Sequence, residues 1–338
     1  MDEFDKELLN EIQWTFPLVT RPFDAIAKKF ETTPENIKKH LNELKEIGVL
    51  RQLSAIFDTR KLGYTSSLVA MEIESEQLDF VASQINRHPG VSHNYEREHQ
   101  FNLWFTLAVP PGADLQEEVE KFNVLKGIKK VRMLPTLQLF KIGVKLDLID
   151  DKKHDIIPSE EKKEIKNVKF EPTEQDKDFI RELQKDMEII DEPFVKAANN
   201  LGISENELFE KLKHYEDIGV MRRFAAILRH RQVGFTANGM IVWKVPKDRI
   251  SQVGNLLGAF PQVSHCYERP TYDDWPYNVF SMIHCKTQDE AHDVAKTIQN
   301  QINVDEYDIL FSSREFKKIR VEYFVENSFS LEETTPLS

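Results

Sequence analysis

The sequence predicts an α+β protein built as a tandem duplication, in which each copy joins a winged or simple helix-turn-helix domain to a ferredoxin-like βαββαβ domain. Two observations predict this fold. Residues 5–64 align with residues 176–235 without a gap, and a self-similarity of this length indicates duplication. Within each copy, helical spacing of apolar residues gives way to alternating strand and helix patterns.

The repeat extends through both domains of each copy. VSHNYER at 91–97 matches VSHCYER at 263–269, and LFKI at 139–142 matches EFKK at 315–318. Further matched pairs are Asp5 with Asp176, Pro22 with Pro193, Gly48 with Gly219, Arg51 with Arg222 and Gly63 with Gly234. Each half is therefore one complete copy.

Three short helical patterns open each copy. Thr33 and Ser204 are predicted N-caps of the third helix, because a glutamate follows each within a few residues. Apolar residues then recur at helical spacing and stop at Gly48 and Gly219, which suit the C-terminal ends of helices. Three such helices with a tight turn predict a helix-turn-helix.

The second part of each copy alternates strand and helix patterns in the order βαββαβ. This order predicts one antiparallel sheet covered by two helices. A segment rich in Lys, Glu and Asp predicts a charged linker at 147–175, and the tail 326–338 has the same character. The predicted domains are helix-turn-helix domains at 1–62 and 176–233 and ferredoxin-like domains at 63–146 and 234–325.

The amino-acid composition limits which classes of partner we expect this chain to bind. The 338-residue chain has a formal net charge of −12, which opposes a polyanion, so we expect no nucleic-acid partner. No apolar run approaches the ~18 residues of a membrane span, and the acidic N-terminus lacks the features of a signal peptide, so we expect a cytoplasmic protein without a membrane partner. Cys266 and Cys285 have no metal-ligand spacing, so we predict neither a disulfide nor a metal site of the protein's own.

A strand in each copy carries a row of polar side chains. If these segments are strands, their side chains alternate between two faces. One face then carries His93, Tyr95, Arg97 and His99 in the first copy, and His265, Tyr267 and Arg269 in the second. Such rows suit a ligand with carboxylates around its rim. Arg97 and Arg269 are candidate clamps, because a guanidinium binds a carboxylate through two parallel hydrogen bonds.

The motifs HNYEREHQFNLWFTL (93–107) and HCYERPTYDDWPYNVFSMIH (265–284), each followed by Phe-Lys near the end of its copy, resemble the two subunit types of siroheme decarboxylase. That family consists of Lrp/AsnC-like enzymes, usually made as two different subunits. Here both types occur in one chain, which resembles the fused form associated with haem d1 synthesis. The resemblance implies an Lrp/AsnC effector-type fold for the ferredoxin-like domains.

The resemblance also implies a reaction. Siroheme would lose carbon dioxide from the acetates on rings C and D and become didecarboxysiroheme, in haem d1 or alternative haem biosynthesis. No cofactor is expected, because a carbanion beside a pyrrole ring can delocalise into the macrocycle. The iron then belongs to the siroheme substrate.

A histidine in these rows has two possible roles. As imidazolium it protonates the carbanion or orients the carboxylate, and as neutral imidazole it ligates the substrate iron. We expect His93 and His265 to be the catalytic pair, with His99 as the rival. The ordinary alternative for each is a structural histidine with its hydrogen bonds satisfied.

Aromatic residues form a second group of candidates. Trp104 and Trp275 either stack on the flat macrocycle or fill the core. Trp275 belongs to the segment PTYDDWPYN, which lengthens a loop of the second copy and is expected to cover the pocket.

Four basic residues complete the candidate substrate contacts. Lys141 and Lys317 either meet propionates or remain exposed. Arg51 and Arg222 either reach carboxylates or form salt bridges between domains.

Two other functions compete with the decarboxylase. A DNA-binding Lrp/AsnC regulator has the same domain order, but in the third helix of the second copy five acidic residues outnumber two lysines, and this charge repels phosphates. A haem carrier or sensor would bind the tetrapyrrole without releasing carbon dioxide. Lrp/AsnC-like domains usually pair through their sheets, so we expect an internal pseudo-dimer, and further pairing into a homodimer stays open.

Overall fold

The computed structural model describes residues 1–142, 169–228 and 237–325, together with residues 329 and 331. Most of the predicted linker and tail therefore lies outside the described residues. The chain forms two compact units, and each unit contains the equivalent domain of both copies. The helical unit comprises residues 1–63 and 169–228, and the sheet unit comprises residues 64–142 and 237–325 with 329 and 331.

The helices and strands follow the predicted order with two differences: an additional strand follows the third helix of each copy, and the first copy ends in two strands rather than one. The first copy contains α1 (Glu3–Ile12), α2 (Pro22–Lys29), α3 (Pro34–Glu46), β1 (Leu50–Phe57), β2 (Thr65–Ile73), α4 (Leu78–Asn86), β3 (Val91–Arg97), β4 (Leu103–Val109), α5 (Leu115–Glu120), β5 (Ile128–Pro135) and β6 (Gln138–Ile142). The second contains α6 (Glu174–Leu183), α7 (Pro193–Leu201), α8 (Glu205–Asp217), β7 (Met221–Leu228), β8 (Ala237–Trp243), α9 (Ile250–Ala259), β9 (Val263–Glu268), β10 (Val279–Cys285), α10 (Gln288–Ile302) and β11 (Tyr307–Lys318).

The third helix of each copy begins and ends as predicted. The Thr33 hydroxyl accepts a hydrogen bond from the backbone N–H of Asn36 at 3.3 Å, and Ser204 forms a complete capping box with Glu207. Gly48 and Gly219 both have φ 74° just after these helices, a conformation that glycine adopts at little cost.

In the helical unit the two helix-turn-helix domains share one core. Strand β1 pairs with β7 in an antiparallel two-stranded sheet. Phe16 of the first copy packs against Phe224 and Phe194 of the second, with ring centroids 5.5 and 6.5 Å apart. The strand that follows each third helix therefore pairs across the duplication.

The sheet unit contains both ferredoxin-like domains. Its nine strands follow the order β5-β2-β4-β3-β11-β8-β10-β9-β6. The first four and the next four strands each have the order of a split βαβ fold. This arrangement confirms the predicted α+β architecture with two ferredoxin-like domains.

Long strands join the two domains at both of their edges. The first part of β11 pairs with β8 of its own copy, and the second part pairs with β3 of the other copy. In the same way, β5 pairs with β2, while β6 pairs with β9. Strand β5 is the first strand of the sheet order and β6 is the last, and only residues 136 and 137 separate them along the chain. The two ends of the strand order therefore belong to one continuous chain segment.

In each ferredoxin-like domain, residues pack against both faces of the strands. One face of each domain packs on its own helices. The opposite faces share a third core with members from both copies, called here the interior cluster. Its buried members are Ala70, Phe101, Trp104, Leu134, Met240, Val242, Trp275, Phe280 and Leu310.

Candidate functional site

A β-bulge precedes each candidate histidine row. The register shifts between Val91 and His93 in one copy and around the equivalent residues of β9 in the other. The serine before each histidine, Ser92 or Ser264, is therefore the extra residue. Val91 faces the helices. The extra residue turns the histidine row that follows to the opposite face of the sheet, which is a common use of bulges beside functional sites.

The alternation beyond the bulge places the predicted rows on the face of the interior cluster. Tyr95 lies opposite Trp104, and Tyr267 lies opposite Phe280, and both partners belong to that cluster. The side chains between them face the helices, as shown by Asn94, which donates to Asn86 of α4 at 2.9 Å. Strand β3 ends at Arg97, so His99 lies in the following turn rather than on the strand.

Arg97 and Arg269 occupy equivalent positions and make equivalent contacts. Arg97 is 6% exposed and donates from Nη1 to the carbonyl of Leu310 at 2.5 Å. Arg269 donates in the same way to the carbonyl of Leu134. The guanidinium carbons lie 5.9 Å from the ring of Tyr95 and 5.0 Å from the ring of Tyr267, respectively.

Neither guanidinium has a carboxylate partner among the described residues. The Nε atoms of Arg97 and Arg269 are both buried without a hydrogen-bond acceptor in that part of the chain. Burial lowers the pKa of each to about 10, so both remain cationic near neutral pH. A buried cation without a counter-ion is costly, and an anionic ligand offsets this cost.

The histidines of the two rows are held through the bulge serines. Nδ1 of His93 lies 2.9 Å from the Ser92 hydroxyl, and Nδ1 of His265 lies 2.9 Å from the Ser264 hydroxyl. The ring centroids of His93 and Tyr95 are 6.2 Å apart. Each copy therefore presents histidine, tyrosine and arginine in sequence along one face. The serines were missed in the sequence, although the repeated Ser-His pair was visible there.

His99 lies between the two copies. Its Nδ1 accepts from the backbone N–H of Phe101 at 3.0 Å, and its ring centroid is 5.4 Å from that of Trp275. Burial lowers the pKa of His99. The ring is therefore favoured in its neutral form, with the proton on Nε2.

The two candidate tryptophans lie in the interior cluster with centroids 5.2 Å apart. Nε1 of Trp104 donates to the carbonyl of Phe101 at 2.6 Å. Nε1 of Trp275 is buried and has no acceptor among the described residues. Both side chains fill the core, and their stacking on a macrocycle stays a prediction.

The inserted segment of the second copy is attached to β5 of the first. The Tyr272 hydroxyl donates to the carbonyl of Met133 at 2.6 Å, and Asp274 binds Arg132 at 2.8 and 2.9 Å. Arg132 lowers the pKa of Asp274 to about 2. These contacts hold Trp275 in the cluster.

The candidate lysines sit apart from the two rows. Nζ of Lys141 donates to the carbonyl of Phe260 at 2.8 Å, and Nζ of Lys317 donates to that of Asn86 at 2.6 Å. Both carbonyls belong to the C-terminal ends of helices, where a cation is favourable. Burial lowers the pKa of both lysines. Their contact with propionates stays a prediction.

Arg51 and Arg222 belong to the helical unit. Arg222 of β7 donates to Asp58 of the first copy at 2.7 and 3.1 Å. A salt bridge was one of the two alternatives for Arg222, and this contact is consistent with it. Arg51 lies on β1, and its role as a carboxylate ligand stays a prediction.

One group of potential metal-ligating side chains occurs among the described residues, formed by Asp2, Asp5 and His40. Asp2 and Asp5 form the capping box of α1, and Nδ1 of His40 lies 2.7 Å from Asp5. These contacts account for the group as a helix cap.

Comparison with known proteins identifies the family. Residues 5–51 and 176–222 match the family model of the siroheme decarboxylase NirDL-like HTH domain, and residues 61–141 and 232–317 match the AsnC-like ligand binding domain. A siroheme decarboxylase of Hydrogenobacter thermophilus is 41% identical over 96% of this chain and 96% of its own length. The chain belongs to the siroheme decarboxylase family.

Other relatives agree with this membership. The siroheme decarboxylase beta subunit of Methanosarcina barkeri is 46% identical over 42% of this chain and 94% of its own length. A solved structure of the siroheme decarboxylase NirDL, in complex with an iron-uroporphyrin III analogue, has 36% identity and a TM-score of 0.75 over 96% of this chain and 95% of that one. In the described part of this chain, no helix has both the length and the apolar character needed to span a membrane.

Proposed function

We propose that this chain is a carboxy-lyase that converts siroheme to didecarboxysiroheme by releasing carbon dioxide from two acetate side chains, on rings C and D. The observation that carries the proposal is the pair of buried guanidinium groups, Arg97 and Arg269, which have no carboxylate partner in the described residues. They face the interior cluster from equivalent positions at the ends of β3 and β9. A tetrapyrrole with carboxylates on its rim matches two such cations.

In this proposal the arginines bind substrate carboxylates and the neighbouring histidines manage protons. Heterolysis of the bond between the acetate methylene and its carboxylate carbon releases carbon dioxide and leaves an electron pair on the methylene. That pair delocalises into the macrocycle, and one proton then converts the methylene to a methyl group. No additional cofactor is required, because the substrate accepts the electron pair itself.

His93 and His265 are the proposed proton donors, each adjacent along its strand to a tyrosine and an arginine. General acid catalysis contributes about 10²- to 10⁴-fold. The remaining acceleration comes from holding the carboxylate in a water-poor site. Ligation of the substrate iron by one of these imidazoles is the alternative role.

Anaerobic incubation of the purified protein with siroheme, followed by mass analysis of the pigment, tests the function. We expect a product that has lost two carbon dioxide units. Unchanged siroheme that co-purifies with the protein would make the chain a tetrapyrrole carrier and would contradict the proposal.

The contacts of the helical unit argue against a DNA-binding regulator. Lys38 and Lys45 on α3 bind Asp191 and Asp186 of the second copy, the latter at 2.7 Å. These lysines are thereby neutralised within the chain, so they contribute little to phosphate binding. A DNA-shift assay at low salt should show no tight, salt-sensitive complex.

The paired strands also support an internal pseudo-dimer, because β11 pairs with β3 and β6 pairs with β9. Each copy therefore completes the sheet of the other. A cytoplasmic location is part of the proposal, and further pairing into a homodimer stays open.

A further inference from the structure

The serines that precede the two histidine rows differ in their side-chain contacts among the described residues. In the second copy the Ser264 hydroxyl lies 2.9 Å from Nδ1 of His265, 2.8 Å from Nε2 of His284 and 3.2 Å from the carbonyl of Met282. A serine hydroxyl has one proton and two acceptor lone pairs. These three contacts use its full capacity.

The equivalent position to His284 in the first copy is occupied by an alanine. Asn102 and Asn278 fix the alignment, since each makes a pair of hydrogen bonds with the backbone of one residue, Ile73 or Val245. Counting along β4 and β10 from these asparagines places Ala108 where His284 stands. The second imidazole is therefore particular to the second copy.

One placement of the protons makes all three contacts of Ser264 hydrogen bonds. The carbonyl of Met282 can only accept, so in this placement the serine proton points toward it. Nδ1 of His265 and Nε2 of His284 must then both donate to the serine oxygen. His265 consequently carries its proton on Nδ1, and its Nε2 is left with a lone pair or a second proton for other partners.

We propose that Ser264 and His284 are positioning residues that hold His265 as the Nδ1–H tautomer. The inference rests on the proposed function, because it assigns His265 a proton-handling role in that reaction. Which nitrogen of a functional histidine faces its target is commonly set by the hydrogen bond to the other nitrogen. The bulge at Ser264 provides that bond here.

The tautomer is measured directly by ¹⁵N NMR of the imidazole nitrogens in protein labelled on histidine, without substrate. Wild type should show His265 protonated on Nδ1. His284→Leu should lose this single tautomer, whereas His284→Gln, which keeps an N–H donor at a similar reach, should retain it. His214→Leu on the exposed face of α8 is the matched control and should leave the spectrum of His265 unchanged.

Activity on siroheme is the second readout. Loss of a partner to a functional side chain commonly costs about 10- to 100-fold, so we expect a fall of about that size in kcat for His284→Leu, with little change in KM. His284→Gln should recover most of it.

Three results would overturn the proposal: an Nε2–H tautomer of His265 in the wild type, wild-type kcat in His284→Leu, or no recovery in His284→Gln. The last result would make His284 a packing residue. If wild type releases no carbon dioxide, the proposed function fails instead, and the NMR measurement still reports whether Ser264 and His284 set the tautomer.

Discussion

The two sheet domains carry the same row of histidine, tyrosine and arginine but surround it differently. In both, a bulge serine contacts the histidine, and a buried arginine donates to a backbone carbonyl of the other copy. The second copy adds His284 and the inserted segment that carries Trp275. The two copies thus share the charged groups and differ in the neighbours of these groups, so we expect the two rows to meet similar substrate groups in different ways.

The largest effect is expected from removing the histidines. His93→Ala and His265→Ala should each lower the rate of carbon dioxide release by about 10²- to 10⁴-fold. Mass analysis of the pigment distinguishes the two rows, because a variant that accumulates singly decarboxylated product has lost one step only. Full activity in either variant would break the comparison and move the catalytic role to His99.

Removing the guanidinium charges should lower activity less than removing the histidines does. It should leave the stability of the substrate-free protein unchanged or raise it. We expect Arg97→Gln and Arg269→Gln to lower kcat/KM by about 100-fold, in the range for loss of one member of a buried charged pair. Because each cation lacks a carboxylate partner in the described residues, the substrate-free variants should unfold at the same or a higher temperature than wild type. A lower Tm together with unchanged kcat/KM would show that these arginines are structural.

The tryptophans allow a matched test within the interior cluster. Trp104→Phe removes the donor to the Phe101 carbonyl, whereas Trp275→Phe removes an N–H that has no acceptor among the described residues. Both changes lose similar volume, so Trp104→Phe should cost about 1 kcal/mol more in the free energy of unfolding. Urea denaturation measures the difference. An equal cost would mean that the Trp104 hydrogen bond contributes nothing net.

Local patterns were sufficient to predict the duplication, the helix caps at Thr33 and Ser204 and the shared face of Tyr95 and Arg97. The bulges were not predictable, because a bulge is a relation between one strand and its neighbour. The pairing of β6 with β9 and of β11 with β3 was likewise absent from the local pattern, since it joins segments far apart in the chain.

The same distinction, between what local sequence patterns predict and what only the folded chain shows, applies to the candidate site. The arginines were predicted from residue type and alternation, but the lack of a carboxylate partner within the described residues emerges only from the folded chain. Lys141 and Lys317 were grouped with the site because of their charge. Their ammonium groups instead reach helix carbonyls, a contact that depends on how the helix ends lie over the sheet.

The smallest predicted effect concerns a buried histidine, His88, and a partly buried one, His99, both in the first copy. Burial lowers the pKa of His88 and of His99. In the second copy Phe260 occupies the position of His88, and the longer segment 270–277, which replaces the turn around His99, contains no histidine. Between the folded and unfolded pKa values, the unfolded state binds more protons. The free energy of unfolding therefore falls as the pH drops below about 6.5, the usual pKa of histidine, until the folded-state pKa is passed.

His88→Asn and His99→Asn test this pH dependence while keeping an acceptor for the backbone N–H groups that the two rings bind, those of Gly90 and Phe101. Each variant should flatten the fall in unfolding free energy, measured by urea denaturation at a series of pH values from 7.5 to 5. His214→Asn, on the surface of α8, should keep the wild-type slope. If the slopes of all three variants equal that of wild type, proton uptake by these two rings does not contribute to the pH dependence of the unfolding free energy.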